Sequence, residues 1–169
     1  MIAVLATLYA LVVPGSLTVL IPWLLVRDAS PTLAAHGWYQ HLGWVPLLLG
    51  VALIGGCTHR FVVDGRGTPA PVAPPTRLVV GGWFRWTRNP MYLGVLTMLF
   101  GEAVLAWSPV LLADAAGTWL GMEAFLQLYE EPSLRRRFGA DYAAYCRAVP
   151  RWFGWPWRSR IRDSSPFPP

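Results

Sequence analysis

Apolar residues form four long stretches along the chain, separated by short polar or glycine- and proline-rich segments. The stretches are Met1–Val26, His41–Cys57, Met91–Trp107 and Val110–Tyr129. A membrane-spanning helix needs about 20 predominantly apolar residues, so the pattern predicts an all-α, polytopic membrane protein with about four transmembrane helices. Pro14 and Pro22 predict kinks in the first helix. Ser108 and Pro109 alone separate the last two stretches, which predicts a tight helical hairpin.

The composition agrees with this fold class. Hydrophobic residues make up 54% of the 169-residue chain, charged residues make up 14%, and the mean hydropathy is +0.40. The chain has 10 tryptophans, and tryptophan favours the membrane–water interface. The net charge is +5, but the basic residues flank the apolar stretches. We therefore attribute them to membrane orientation and predict no nucleic-acid partner.

The arginines predict which side of the membrane each segment faces. All 14 basic residues are arginine. Arg27 lies between the first two apolar stretches, and every other arginine lies between the second and third stretches or after the fourth. Basic residues concentrate in cytoplasmic loops, so both termini and the arginine-rich segments are predicted to be cytoplasmic.

Three regions follow from the pattern. They are the first two transmembrane helices in residues 1–57, a functional region in residues 58–162, and a disordered tail in residues 163–169. The functional region begins with a loop rich in glycine and proline, which excludes a long helix. Because this loop is also too apolar for a solvated linker, we expect it to fold back onto the membrane face and the C-terminal segment.

The C-terminal segment predicts two short helices. The first follows Glu131 and ends near Gly139, and the second starts near Asp141 and stops before Pro150. Aspartate is a favourable residue at a helix start, and glycine and proline are typical of helix ends. Together with the loop, these helices are predicted to form a cofactor pocket at the cytoplasmic end of the hairpin.

Polar residues that carry chemistry occur in two clusters on the predicted cytoplasmic side. The first cluster is Arg85, Arg88, Asn89, Pro90 and Tyr92. The second cluster is Glu130, Glu131, Arg135, Tyr142, Tyr145, Arg147 and Arg151. Because the hairpin brings the start of its first helix beside the end of its second, the two clusters are expected to line one pocket. The two cysteines lack metal-ligand spacing, so no metal site is predicted.

These residue types suit a nucleotide-like cofactor and a lipophilic substrate. Carboxylates accept hydrogen bonds from a ribose diol or an amino group, and a helix start holds an anionic group with its backbone N–H groups. Pro90 suits the first helical position because it has no N–H to leave unpaired. An arginine binds a carboxylate or a phosphate through two hydrogen bonds.

Two motifs carry a resemblance to a known family. They are "GGWFRWTRNPMYLG" at residues 81–94 and "EEPSLRRRFGADYAAYCRAVPRW" at residues 130–152. Together they resemble the isoprenylcysteine carboxyl methyltransferase family, part of a larger group of integral-membrane methyltransferases that includes phospholipid N-methyltransferases. The upstream run "GRGTPAPVAPPTRLVV" is similar to a bacterial branch, which implies a bacterial-type inner membrane. The resemblance covers roughly Arg60 to Gly154.

The resemblance implies a cofactor, S-adenosylmethionine, bound without a Rossmann domain at the cytoplasmic ends of the last membrane helices. It also implies a lipophilic acceptor that enters from the bilayer. The implied cofactor contacts are Arg88, Asn89, Pro90, Tyr92, Gly94, Glu130, Glu131, Tyr142 and Tyr145. Many relatives have histidine where this chain has Asn89, and the branch often has a polar residue, frequently histidine, at the position of Glu123.

The predicted reaction is methyl transfer to a lipophilic acceptor, with carboxyl O-methylation of a prenylcysteine-like or other hydrophobic acid preferred. Arg147 or Arg151 would then hold the acceptor carboxylate, which is already ionised near neutral pH. An amine acceptor, as in a phospholipid methyltransferase, or a thiol acceptor must lose a proton. Glu123, Glu130 or Tyr145 would accept this proton. Two further alternatives are a NADPH-dependent membrane reductase of related fold and a non-enzymatic four-span transporter or scaffold.

Several of these residues also have ordinary explanations. Arg85 and Arg88 would anchor a transmembrane helix, and Asn89 serves equally well as a helix N-cap. Carboxylates in the body of a membrane helix are costly and usually functional. Asp114 lies close enough to the hairpin turn to reach water, whereas the role of Glu102 is open.

Overall fold

The computed structural model describes residues 2–27, 37–65 and 75–153, and every regular element in these ranges is helical. The predicted all-α class is confirmed for these residues. The predicted disordered tail at residues 163–169 lies outside them, as do residues 66–74 of the loop and residues 154–162.

The first helical stretch changes its hydrogen-bonding pattern between its two prolines. It comprises α1 (Ile2–Gly15), a π-helical segment (Ser16–Leu20) and α2 (Ile21–Val26). Pro22 has no N–H to donate, and its ring disfavours an α-helical bond one turn back, which explains a wider turn at this point. The hydroxyl of Thr18, which is buried, donates to the Pro14 carbonyl at 2.9 Å.

The second helical stretch is the longest apolar one in the described ranges. A 3₁₀ turn (Trp38–Gly43) leads into α3 (Trp44–Val63). Together they span 26 residues with a mean hydropathy of 1.6, and within the described ranges this is the one helix long and apolar enough to cross a membrane. The stretches Leu11–Val26 and Pro90–Ala106 are apolar but shorter.

The predicted end of this second stretch was wrong. Residues 58–63, assigned to the loop from sequence, continue α3 by more than one turn to Val63. They contain no glycine or proline, and the first helix-breaking residue after them is Gly65, so nothing local ends the helix earlier.

The predicted hairpin is confirmed. It consists of α4 (Pro90–Ala106) and α5 (Pro109–Phe125). Trp107 adopts a left-handed conformation with φ 47°, and the Ser108 N–H bonds back to the Ala103 carbonyl at 3.0 Å. The Ser108 hydroxyl then accepts a hydrogen bond from the Leu111 N–H and caps α5, as serine commonly does.

Helix α4 packs closely against α3 through glycines. A Cβ added at Gly50 would lie 2.5 Å from the Gly94 carbonyl oxygen, and one added at Gly101 would lie 2.7 Å from the Gly43 carbonyl oxygen. Real Cβ atoms do not approach so closely, so each position needs glycine. Small residues let membrane helices approach at backbone distance, and this contact fixes α4 against the longest apolar helix.

The end of α5 continues into the C-terminal helical region without a loop. A π-helical segment (Leu126–Glu130) leads into α6 (Glu131–Ala148). Pro132 is the second residue after this π segment, just as Pro22 is after the first one. Gly139 has φ 50° and ψ −118° and divides α6 into two parts, which confirms the predicted division.

Over its described residues 75–89, the loop before α4 folds back onto the C-terminal segment, as expected. Val79 and Phe84 pack with Cys57 of α3. Leu78 and Val80 pack against a cluster around Tyr142 and Tyr145 of α6. The loop therefore joins α3 to the C-terminal helix, and it delivers its last residues to the start of α4.

Candidate functional site

The hairpin brings the two predicted clusters together. The Arg88 guanidinium donates from Nη1 to Glu131 Oε1 at 3.0 Å, and the Tyr92 hydroxyl donates to Glu130 Oε2 at 2.5 Å. Arg88 and Tyr92 flank the start of α4, whereas the two glutamates flank the junction between the π segment and α6. The predicted proximity of the clusters is confirmed.

Glu131 is the centre of an ion-pair network. Its side chain is buried, and Oε1 accepts hydrogen bonds from Arg88 at 3.0 Å and from Arg151 Nε at 2.9 Å. A carboxylate can be kept ionised away from water only when charged partners and hydrogen bonds compensate the lost hydration. The hydrogen bond to Glu131 also raises the pKa of Arg151 and holds it in the cationic form.

Arg151 extends the network to α5. Its Nη1 pairs with Glu123 Oε1, while the Trp152 indole N–H donates to Glu123 Oε2 at 2.8 Å. The Gln127 amide donates to Glu123 from one turn along the helix. One arginine therefore bridges the carboxylates of α5 and α6, and Glu123 accepts hydrogen bonds from three side-chain donors. We call this set, formed by Arg88, Glu123, Glu131, Arg151 and Trp152, the ion-pair network.

The segment after α6 is tied to the residues that precede α4. The Arg88 N–H donates to the Pro150 carbonyl at 3.0 Å. The Arg151 carbonyl accepts from the Thr87 hydroxyl at 2.9 Å and from the Asn89 side-chain amide at 3.0 Å. Asn89 thus stands at the N-cap position of α4 but makes no side-chain cap hydrogen bond, because its amide holds the C-terminal segment instead.

Glu130 lies in a less favourable electrostatic environment than Glu131. Burial raises the pKa of the Glu130 carboxyl, the hydrogen bond from Tyr92 lowers it, and the charge of Glu131 raises it further. The net direction is upward. Burial therefore favours the neutral form of the Glu130 carboxyl.

Tyr142 and Tyr145 form a buried pair beneath the network. Their ring centroids are 6.3 Å apart, and the Tyr145 hydroxyl donates to the Phe84 carbonyl at 2.8 Å. Burial raises the pKa of both hydroxyls above the ordinary value. They remain protonated at neutral pH, so Tyr145 does not fit the role of a base. Arg88 Nη1 also contacts Cys146 Sγ at 2.9 Å.

Two predicted site residues lie away from the network. Gly94 faces α3, where an added Cβ would lie 2.8 Å from Ile54 Cγ1 and 3.0 Å from the Gly50 carbonyl oxygen. Arg147 is exposed and makes no hydrogen bond or ion pair with the residues that the structure describes. Pro90 is buried and forms the first residue of α4, as predicted.

Sequence reasoning missed three residues of the region. They are Thr87, Gln127 and Trp152. From sequence, Trp152 was covered only by the general preference of tryptophan for the membrane–water interface, yet it donates a hydrogen bond to the network. The sequence held one signal for the contact between Trp152 and Glu123. A buried indole N–H usually finds a hydrogen-bond acceptor, and the carboxylate of Glu123 had no predicted partner.

One donor of the site, Arg88 Nε, is buried and makes no hydrogen bond to the described residues. Because an unpaired buried donor is costly, an anionic ligand group bonded to this nitrogen would stabilise it. No group of three or more potential metal-binding side chains occurs among the described residues.

The described residues define an all-helical fold with a membrane-length apolar helix and a partly buried ion-pair network at one end of a helical hairpin. A sequence profile of the phospholipid methyltransferase family matches residues 45–141, which is more than half of the chain. The chain therefore belongs to the phospholipid methyltransferase family. Neither a curated protein sequence nor a solved structure matches it.

The matched region runs from the start of α3 into the second part of α6. It contains Arg88, Glu123 and Glu131 and ends before Arg151. The predicted membership of the wider group that includes phospholipid methyltransferases is confirmed. The isoprenylcysteine branch within it stays a prediction.

Proposed function

We propose that the protein is an integral-membrane, S-adenosylmethionine-dependent methyltransferase that acts on a lipophilic acceptor at the cytoplasmic face. The observation that carries this proposal is the ion-pair network in a chain of the phospholipid methyltransferase family. The network joins both predicted motifs at the end of the hairpin, where a membrane-embedded acceptor and a water-soluble cofactor meet.

The residues present fit the cofactor. The buried, unpaired Nε of Arg88 matches the carboxylate at the amino-acid end of S-adenosylmethionine, because guanidinium–carboxylate hydrogen bonds are strong. Glu130 is partly exposed beside it and suits a ribose hydroxyl or an amino group. Pro90 begins α4 here, and the N–H groups of a helix start favour an anionic group.

The bound cofactor would supply a methyl group that is already activated on a sulfonium. The protein then has to orient the acceptor in line with this group and keep water away. The Thr87 and Asn89 side chains donate hydrogen bonds to the Arg151 carbonyl, and these bonds hold the C-terminal segment at the start of α4. We assign Arg151 a positioning role, because its guanidinium already binds Glu123 and Glu131.

Two acceptor classes follow from the site. A hydrophobic carboxylic acid is the acceptor preferred from sequence, with the exposed Arg147 as its anchor. An amine-bearing phospholipid is the second candidate. Glu123 and Glu131 pair with Arg88 and Arg151, and Glu130 adds a carboxyl that pairs with no arginine among the described residues. Glu130, whose pKa is raised, suits the acceptance of a proton from an ammonium head.

Calorimetric binding of S-adenosylmethionine and S-adenosylhomocysteine to the detergent-purified protein tests the proposal. Wild type is expected to bind both. The variant Arg88→Lys keeps a charge beside Glu131 but loses Nε, so binding is expected to weaken at least about tenfold, the loss of one charged hydrogen bond. Arg136→Ala, an exposed control on α6, is expected to bind like wild type.

A folded wild-type protein that binds neither compound would reject the proposal. Binding of NADPH in its place would favour the reductase alternative, and binding of no nucleotide would favour the transporter or scaffold alternative. Transfer of a radiolabelled methyl group then separates the acceptors. Phosphatidylethanolamine and a farnesylated cysteine carboxylate are offered side by side, and the class that becomes labelled identifies the head group.

A further inference from the structure

A pocket of about 430 Å³ lies between the first helical stretch and the hairpin, at the end of the hairpin opposite to the ion-pair network. The first stretch forms one side of this pocket between Thr18 and Val26, and the hairpin forms the other side with Glu102, Leu105 and Leu111. A pocket of this volume is in the range that holds a small ligand or a compact head group. None of these residues belongs to the ion-pair network, so the pocket is a separate feature of the fold.

Glu102 is the one charged side chain in the lining of this pocket, and one of its oxygens is unpaired. This atom, Oε2, is buried and makes no hydrogen bond to the residues that the structure describes. The Thr18 hydroxyl also lines the pocket, but it gives its hydrogen to the Pro14 carbonyl at 2.9 Å. A buried acceptor without a donor is costly, and carboxylates in membrane helices are usually functional. A ligand that donates a hydrogen bond to Glu102 would remove this cost.

The surroundings of Glu102 favour a donor that carries a positive charge. Asp114 of α5 adds a second buried carboxyl oxygen without a described partner at this end of the hairpin. The aromatic wall of the pocket also attracts cations, since the Arg27 guanidinium already lies 5.6 Å from the Trp23 ring centroid. An ammonium group that bears N–H bonds supplies both the charge and the donor. A quaternary ammonium supplies the charge alone.

The mouth of the pocket lies on an apolar surface. Val19 and Trp23 line the pocket and are each more than half exposed. They belong to a helical stretch that is apolar along its length, and a bilayer would cover such a surface. An ammonium group carried by a lipid therefore reaches the pocket more readily than one that arrives from water.

We propose that this pocket binds an ammonium group with N–H bonds and that Glu102 is its hydrogen-bond acceptor. An amine-bearing phospholipid head and a free primary amine share this chemistry, and the apolar mouth favours the lipid. The site is distinct from the proposed site of methyl transfer. Twelve residues of α4 separate Glu102 from Pro90, which corresponds to about 18 Å of helix, so a head group bound at Glu102 does not reach the network.

Protection of Glu102 from a carbodiimide tests this inference in the wild-type protein. Dicyclohexylcarbodiimide is an apolar reagent that modifies carboxyl groups away from water, and peptide mass spectrometry measures the adduct on Glu102. Delipidated protein in detergent receives phosphatidylethanolamine, phosphatidylcholine or phosphatidylglycerol with identical chains. At about ten times its Kd, phosphatidylethanolamine is expected to slow the modification about tenfold, and phosphatidylglycerol is expected to leave it unchanged. Phosphatidylcholine, which has no N–H, is expected to protect less than phosphatidylethanolamine.

The other outcomes decide between the sources and against the inference. Equal protection by free ethanolamine at the same concentration would identify a free amine as the ligand. Equal modification of Glu102 with all three lipids and with ethanolamine would overturn the inference. So would a lack of modification in the lipid-free protein, because it would show that the Glu102 carboxyl already has a partner.

A matched pair of variants provides a second readout. Glu102→Met removes the acceptor, and Asp141→Asn removes a carboxylate at an exposed position of α6. Phosphatidylethanolamine is expected to raise the melting temperature of wild type and of Asp141→Asn by a few degrees relative to phosphatidylglycerol. In Glu102→Met this rise is expected to shrink to less than about half, and a full rise would overturn the inference.

The two readouts separate this inference from the proposed function, because neither requires the cofactor or turnover. A folded wild type that binds no S-adenosylmethionine but shows protection of Glu102 by phosphatidylethanolamine would reject the methyltransferase proposal and leave this site standing. A wild type that transfers a methyl group while Glu102 is modified equally with every lipid would leave the methyltransferase proposal standing and reject this site.

Discussion

The carboxylates at the two ends of the α4–α5 hairpin differ in their hydrogen bonding. At the end that holds the ion-pair network, Glu123 and Glu131 each accept hydrogen bonds from two or more donors. At the end near the Trp107 turn, Glu102 Oε2 and Asp114 Oδ2 are buried and have no hydrogen-bond partner among the described residues. The same pair of helices thus carries satisfied and unsatisfied acids.

The difference depends on what other segments reach each end. The network draws Arg88 from the loop before α4 and Arg151 from the segment after α6, which are 43 and 20 residues from Glu131. The turn end receives no such arginine in the described ranges. Because ionised groups away from water need partners, a network of paired side chains forms only at the end where distant segments converge.

The largest effect is expected from breaking the network at its centre. Glu131→Ala leaves the partly buried Arg88 and Arg151 without their shared carboxylate, so the free energy of unfolding is expected to fall by about 3 kcal/mol, the lower end for a buried ion pair. Denaturant unfolding of the purified protein in detergent, followed by circular dichroism, measures the change. S-adenosylmethionine binding is expected to be lost in any folded fraction.

A double replacement serves as the control. Arg88→Met combined with Glu131→Leu removes both charges, and replacement of a buried ion pair by apolar residues is often close to neutral for stability. The double variant is therefore expected to regain part of the lost stability without regaining cofactor binding. A loss below about 1 kcal/mol in the single variant would show that water replaces the missing carboxylate, as at an exposed ion pair.

At the end of the hairpin near Trp107, a smaller effect on stability is expected, with a sign opposite to that of Glu131→Ala. Glu102→Met removes a buried oxygen without a partner and keeps the length of the side chain, so the free energy of unfolding is expected to rise by about 1–3 kcal/mol. Glu123→Met makes the same chemical change at the network end and is expected to lower it. Denaturant unfolding compares both variants with wild type, and a lower stability of Glu102→Met would reveal a partner or a function for this acid.

The backbone plan of the hairpin and its neighbours was predictable from the chain. Ser108 and Pro109 mark the turn, Pro90 marks the start of α4, and Gly139 marks the division of α6. These residues act through their own backbone geometry, since proline lacks an N–H and glycine adopts a positive φ. Proximity of the two polar clusters followed directly from the hairpin.

Side-chain partners between distant segments were not predictable in the same way. Trp152 reaches Glu123 across 29 residues, and the Asn89 amide reaches the Arg151 carbonyl across 62. Gly94 was taken for a cofactor contact because it lies in the motif, yet its position packs against α3. Such contacts depend on how helices and loops pack in three dimensions, which a local pattern does not determine.

The smallest expected effect distinguishes Glu130 from its neighbour Glu131, which pairs with two arginines. Burial raises the pKa of Glu130, so the folded protein binds the carboxyl proton more tightly than the unfolded chain does. The stabilisation of the fold by this proton is complete below the unfolded pKa. It is lost as pH rises through the folded pKa. Glu130→Gln still accepts from Tyr92 and is expected to melt a few degrees above wild type near pH 7 and equally near pH 4. Thermal melts at both pH values measure the difference.

Asp141→Asn, which removes the same charge at an exposed position of α6, is the control. A lower melting temperature of Glu130→Gln near pH 7 would show that neighbouring charges stabilise the ionised form of Glu130.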